Sequence, residues 1–248
     1  MNMSSFMNEI VSNEISLEEG LQRLLVIANK TENKHLSEWC VQELNGYTSS
    51  ADLPDYRKFT SRNIVYSGLN GRFQVTDVPI GPGFLSDETL NSIEKVNLFE
   101  GVAAVEKRMS LQENSYRDLT PLASEVYQNT NKGTIGVICT SIRQLIPASF
   151  YSSVYSNVKT RIINLLCSYE EARVSLDKLD VTKNQVKALR KKNDDIYKAV
   201  VVDGEIFAFA SREKKAFWNI LVPIITGLIV TVVGGVLVFL ISSVWSAQ

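Results

Sequence analysis

The run from Phe217 to Trp245, FWNILVPIITGLIVTVVGGVLVFLISSVW, constrains this chain more than any other stretch, because nothing from Ala216 to Gln248 carries a charge. A helix of about 20 apolar residues crosses the hydrocarbon core of a bilayer, and this run is longer. Trp218 and Trp245 stand near its two ends, where interfacial aromatic side chains belong. The helix between them would be about 40 Å long, which calls for some tilt or for one end lying among the headgroups. The competing assignment is a buried core helix, but core helices are seldom this long or apolar on every face. The sequence therefore predicts one C-terminal transmembrane helix within 216–248.

Ser211-Arg212-Glu213-Lys214-Lys215 precedes the run, and only Ser246, Ala247 and Gln248 follow it. Lysine and arginine beside a membrane segment stay on the cytoplasmic side. The expectation is a single-pass, tail-anchored protein with its N-terminal part in the cytoplasm. Met1 to Gly20 contains Glu9, Glu14, Glu18 and Glu19 and no apolar core, so no signal peptide is expected. Residues 1–177 hold 16 basic and 21 acidic side chains, whereas 178–215 hold 10 basic and 6 acidic ones. That basic excess lies on the membrane side, suited to anionic lipid, and it could equally face nucleic acid. Cys40, Cys139 and Cys167 are odd in number and without C-x-x-C spacing, which suits a reducing compartment.

Upstream the patterning is mainly helical with a small β component, an α+β domain. Ser16 and Glu19 have capping-box spacing, and Leu17, Leu21, Leu24, Leu25 and Ala28 recur at helical intervals. A second helix runs over 34–45 with Leu36, Trp39, Cys40 and Leu44 on its apolar face and Gly46 as its stop. Ile64 to Tyr66 and Phe73 to Val78 read as strands joined across Leu69-Asn70-Gly71. Helices are expected over 87–97, 99–112 and 118–128, a buried strand over 134–142, and a long helix over 153–176. Lys183, Lys187, Arg190, Lys191 and Lys192 fall in ten residues without an acid, which predicts a basic helical stalk, followed by a short strand at 199–202. The domain organisation is then 1–176 cytoplasmic domain, 177–215 basic stalk, and 216–248 membrane helix.

Two local pieces are specific together. Glu43-Leu44-Asn45-Gly46-Tyr47 closes the second helix, and Leu53-Pro54-Asp55-Tyr56-Arg57 follows. With Trp39 upstream and Asn70-Gly71 downstream, they resemble the AbiTii domain of bacterial abortive-infection proteins, most clearly over residues 10–85. The resemblance implies antiviral defence, a cell-disabling response triggered by infection. AbiTii-like domains fused to membrane helices look like effectors of small defence operons, in which a neighbouring nucleotidyltransferase supplies a nucleotide or oligonucleotide signal; together with the C-terminal run, the expected location is the bacterial inner membrane.

Enzyme chemistry finds little support. The one histidine, His35, starts a helix beside Lys34 and Glu38, and no cluster of His, Cys and carboxylates has metal-ligand spacing. A Ser-His or Cys-His pair would have to use His35. No phosphate-binding glycine loop occurs, and Pro82 makes Gly81-Pro82-Gly83 a turn. No catalytic residue, metal or cofactor is predicted. A binding role has more to offer. Tyr56, Arg57, Lys58 and Arg62 gather at the hairpin entry and Arg72 sits at its turn, which suits phosphate and base recognition. The structural alternative pairs Arg57 with Glu43 or Asp55 and uses Tyr47 and Tyr56 as packing.

One membrane helix encloses no pore, so conduction requires a homo-oligomer, with four subunits as the default. Pro223, Gly227, Thr231 and Gly235 share one stripe of the helix, and small residues at that spacing let helices approach closely in lipid. With no charge in the span, closure would rest on a dewetted apolar constriction. The expectation is a membrane effector: an ion channel gated by a nucleotide on the cytoplasmic domain. A membrane-tethered adaptor that binds protein or nucleic acid is the alternative, and a membrane-bound enzyme the third.

Overall fold

The computed structural model describes residues 4–202, except 132, 134, 135, 173, 191 and 192. The chain divides into two compact units, Met1–Ile206 and Phe207–Gln248. The second lies outside the described residues, and with it the predicted membrane helix and the Pro223, Gly227, Thr231, Gly235 stripe. Among the described residues no helix is long and apolar enough to cross a membrane. The first unit is α+β, with two small antiparallel sheets.

It begins with a helix that the sequence patterning passed over, α1 (Ser5–Ser12), which buries Phe6, Met7 and Ile10. Eight residues make a marginal helix in isolation. Here two distant carboxylates serve its N-terminus: Ser4 N donates to Glu170 Oε1 at 2.9 Å and Phe6 N to Asp177 Oδ1 at 3.0 Å. Negative groups at a helix start also complement its dipole. At the other end Lys159 Nζ donates to Val11 O at 3.1 Å and to Asn13 Oδ1. Next come α2 (Leu17–Lys30) and α3 (Lys34–Asn45), capped by Ser16 and Asn33, whose side chains accept from Glu19 N and Leu36 N at 3.1 Å. Gly46 ends α3 at φ +90°, and a Cβ there would lie 2.5 Å from Phe99 O. A Cβ on Gly101 would lie 2.3 Å from Leu44 O, so two glycines let these backbone segments touch.

β1 (Lys58–Thr60), β2 (Ile64–Asn70) and β3 (Phe73–Pro79) follow. Asn70 pairs with Phe73, so the hairpin loop is Gly71-Arg72 rather than Leu69-Asn70-Gly71. Of these two only Gly71 has positive φ, as in a type II′ turn. Then come α4 (Asp87–Ile93), β4 (Lys95–Asn97), α5 (Val102–Leu111), β5 (Ser115–Asp118), α6 (Ala123–Thr130), β6 (Val137–Ile146) and α7 (Ala148–Glu171). β1 pairs with β4, and the larger sheet has the order β3-β2-β6-β5. Its inner face carries Ile64, Tyr66 and Ile142 onto Leu85, Ile93 and Val126. The helical core is built from α1, α2, α3, α5 and α7, with Leu21, Leu24, Leu36, Trp39, Val105, Val158, Ile162 and Leu165 fully buried.

Several sequence expectations are corrected. The helix expected over 87–97 stops at Ile93, because 95–97 pairs with β1 and the flanking Glu94 O and Leu98 N bond Ser61 N and Arg57 O at 2.9 Å. The helix expected from Asp118 is a strand up to that residue. Leu119, at φ −121°, is not helical, and α6 starts only after a single 3₁₀ turn, Thr120–Leu122, with Pro121 at its start. The long helix starts directly after Pro147, five residues early, and ends at Glu171. Residues 183–202 form α8 (Lys183–Arg190), α9 (Asn193–Tyr197) and a π-helical turn, Lys198–Val202, instead of a strand at 199–202. Leu189, Ile196, Val200 and Val201 are buried, so packing runs on well beyond residue 176.

Candidate functional site

The motif residues Glu43, Tyr47, Tyr56 and Arg57 converge on one carboxylate. Glu43 lies in the last turn of α3 and faces inward, four residues after Trp39 on the same stripe. Its Oε1 accepts from Tyr47 OH at 2.6 Å, Tyr56 OH at 2.7 Å and Arg57 Nε at 3.1 Å, and its Oε2 accepts from Arg57 Nη2 at 2.5 Å. A carboxylate offers about four lone-pair positions, and four donors converge on this one, three on Oε1 and one on Oε2. Both partners of the ion pair are shut off from solvent, with side-chain exposures of 0%. Arg57 Nη1 donates onward to Glu100 O at 2.7 Å and Leu98 O at 3.3 Å, and its guanidinium lies 5.1 Å from the centre of the Tyr47 ring. The backbone supplies this geometry. A 3₁₀ turn, Asp55–Arg57, aims Arg57 at α3, and the Gly46–Gly101 approach brings the 98–100 carbonyls alongside.

The electrostatics are those of a sealed polar core. Burial and the neighbouring Glu43 push the Tyr47 and Tyr56 hydroxyls far above the usual tyrosine range. Burial works against the Arg57 charge, yet the hydrogen bonds and charge of Glu43 hold its pKa above the ordinary value. Burial likewise pushes up the Cys40 thiol, which sits on the same helix. Tyr56 links outward: Trp39 Nε1 donates to its hydroxyl at 3.0 Å, and the Arg161 guanidinium of α7 lies 4.1 Å from its ring centre. Arg161 Nε donates in turn to Val201 O at 3.2 Å.

The five candidate ligand residues do not form one site. Tyr56 and Arg57 meet at Glu43, where Arg57 adopts the structural pairing and offers nothing to solvent. Lys58 is exposed, with Nζ 2.9 Å from Asp55 Oδ1. Arg62 is engaged elsewhere, with Nε 2.9 Å from Glu94 Oε2 and Nη2 donating to Asn91. Arg72 sits at the far tip of the hairpin, about 20 Å along β2 from Arg62. Among the described residues no group of three His, Cys, Asp or Glu is placed to hold a metal ion. Arg161 escaped sequence reasoning, although an arginine between Val158 and Ile162 on an apolar helix side was a signal. Thr31 and Asn193, which bond across the molecule, left none.

The AbiTii family model matches residues 3–193, most of the chain. The chain belongs to the AbiTii family. That match takes in both motif pieces, the whole helical core and the larger sheet, and it continues through α8 to Asn193. The AbiTii family belongs to abortive infection, a phage-defence response. No curated protein and no solved structure matches the chain. In this AbiTii domain the motif residues are the scaffold that locks α3 to the following loop.

Proposed function

We propose that this AbiTii protein is a homo-oligomeric membrane effector of abortive infection. The AbiTii domain is the control element, and the run Phe217–Trp245 is the working part. Copies assemble, four by default, through the Pro223, Gly227, Thr231, Gly235 stripe into an ion-conducting pore in the bacterial inner membrane. The domain faces the cytoplasm and answers a nucleotide or oligonucleotide signal made by a partner nucleotidyltransferase. Opening collapses the membrane potential and halts growth, without an enzymatic step. What carries this reading is the charge-free C-terminal run on a chain whose family belongs to phage defence. The solvent-sealed Glu43–Arg57 pair speaks for a ligand surface elsewhere on the domain than Tyr56 and Arg57.

The test is dye-reported depolarisation during phage infection. Gly227→Leu and Gly235→Leu are expected to abolish depolarisation and protection while the protein still reaches the membrane. Depolarisation and protection that survive deletion of 217–248 would sink the proposal. The second reading is a tethered adaptor, favoured by the apolar end of the larger sheet, where Phe73 is 77% exposed and Leu69 and Ile138 are 42% and 44% exposed. An adaptor keeps working when an unrelated membrane anchor replaces 217–245, and a pore does not.

A further inference from the structure

Residues 193–202 are the last described stretch of the chain, and two polar contacts hold them on the domain. At one end Asn193 Nδ2 donates to Thr31 O, in the turn between α2 and α3, at 3.0 Å. At the other, Val201 O accepts from Arg161 Nε. Between them Ile196, Val200 and Val201 are buried, and the Tyr197 ring stacks on His35 with centres 5.5 Å apart. Arg161 is itself fixed by its stack on Tyr56 and by bonds from Nη1 to Asn157 O and Oδ1 at 3.2 and 2.9 Å. A continuous chain of contacts thus runs from Glu43 through Tyr56 and Arg161 to the carbonyl of Val201.

The fit at the Asn193 end is incomplete. Asn33 Nδ2 and Asn193 Oδ1 are buried without a partner, and the Tyr169 hydroxyl lies beside Thr31 and Asn33 without a well-formed hydrogen bond. Asn193 Oδ1 belongs to the strap itself, and a buried polar atom left unpaired opposes the docked state, because undocking returns it to water. The π-helical turn adds a second irregularity, and such turns recur at functional positions.

We infer that residues 193–202 are a releasable strap, clamped to the Glu43-centred core by Arg161 and opening as a unit while the rest of the domain stays folded. Docked, the strap is held on that core; open, it leaves the core and returns Val201 O to water. The opening does not depend on the function proposed above.

Hydrogen–deuterium exchange on the purified full-length chain in mild detergent tests this. The amides of 193–202 are expected to exchange about 100-fold faster than those in the middle of α2 and α7, as sub-global opening requires. Arg161→Lys keeps the charge but loses the Nε donor, and should speed the strap about 10-fold more with α2 unchanged. Ile196→Ala, which removes buried apolar area from the strap alone, provides an independent variant with the same expected outcome. Strap amides as protected as those of α2, or variants that speed both regions together, would overturn the proposal. Exchange is read without reference to conductance, so a strap that opens in a protein that never depolarises the membrane would remove the pore and leave the strap standing.

Discussion

Glu43 and Arg57 form a buried, fully bonded ion pair whose two halves are fourteen residues apart in sequence. Such pairs add little net stability over a well-packed apolar pair, but removing one partner strands the other. Glu43→Ala and Arg57→Ala are each expected to destabilise the domain by about 3–5 kcal/mol. The double variant should cost less than the sum of the two by about 1 kcal/mol or more, because the stranded charge disappears. Urea unfolding of the four proteins measures this cycle, and additive singles would contradict the pairing. Tyr47→Phe removes a smaller share, about 1–2 kcal/mol. The motif spelled out these residue types, and pairing of Arg57 with Glu43 was one of two options open in the sequence. What sequence could not weigh was solvent access: a guanidinium ready for phosphate and one sealed onto a carboxylate look alike in one dimension.

Between elements, surface carboxylates do the joining. Glu125 of α6 accepts from Ser86 N at 2.8 Å and from Thr89 Oγ1 at 2.8 Å, holding the start of α4 against α6. The hydrogen bond from Ser86 N holds its carboxyl below the ordinary 4.5. Asp77 is lowered by Arg143, and Asp118 by Thr120. For a depressed carboxyl the stabilisation is present above the unfolded value and is lost as pH falls through the lower folded value. Thermal midpoints should therefore fall as the medium is acidified from pH 5 towards 3, and Glu125→Gln should flatten part of that fall. An unchanged acid profile in Glu125→Gln would count against the junction. Element type was legible where the pattern was long, as in α2, α3 and the β2–β3 hairpin. It failed at 95–97 and 115–118, where short strands owe their form to partners far along the chain. It failed again at α1, which depends on Glu170 and Asp177 for its N-terminal bonds.

For the whole molecule the boundary matters most. Charge patterning places the end of the domain at 176 and a basic stalk at 177–215 beyond it, because lysines and arginines dominate 183–192. The four buried apolar residues between 189 and 201 are too sparse to announce a core, yet they and Asn193 pack within the first unit. A fragment ending at residue 202 is expected to be soluble and to unfold cooperatively. One ending at 176 should aggregate or melt about 5 °C or more lower, since it uncovers apolar faces of α3 and α7. Light scattering and differential scanning fluorimetry separate the two outcomes. The AbiTii match through residue 193 falls on the same side of that boundary.

Trp39 sits at the heart of the motif core, buried and bonded through its indole nitrogen to Tyr56. The two other tryptophans, Trp218 and Trp245, belong to the C-terminal run. With those two replaced by phenylalanine, the protein carries a single indole, placed where α3, Tyr56 and the Glu43 carboxylate meet. Its emission colour then becomes an optical gauge of that core, readable on the purified protein in detergent or in vesicles without attaching a dye.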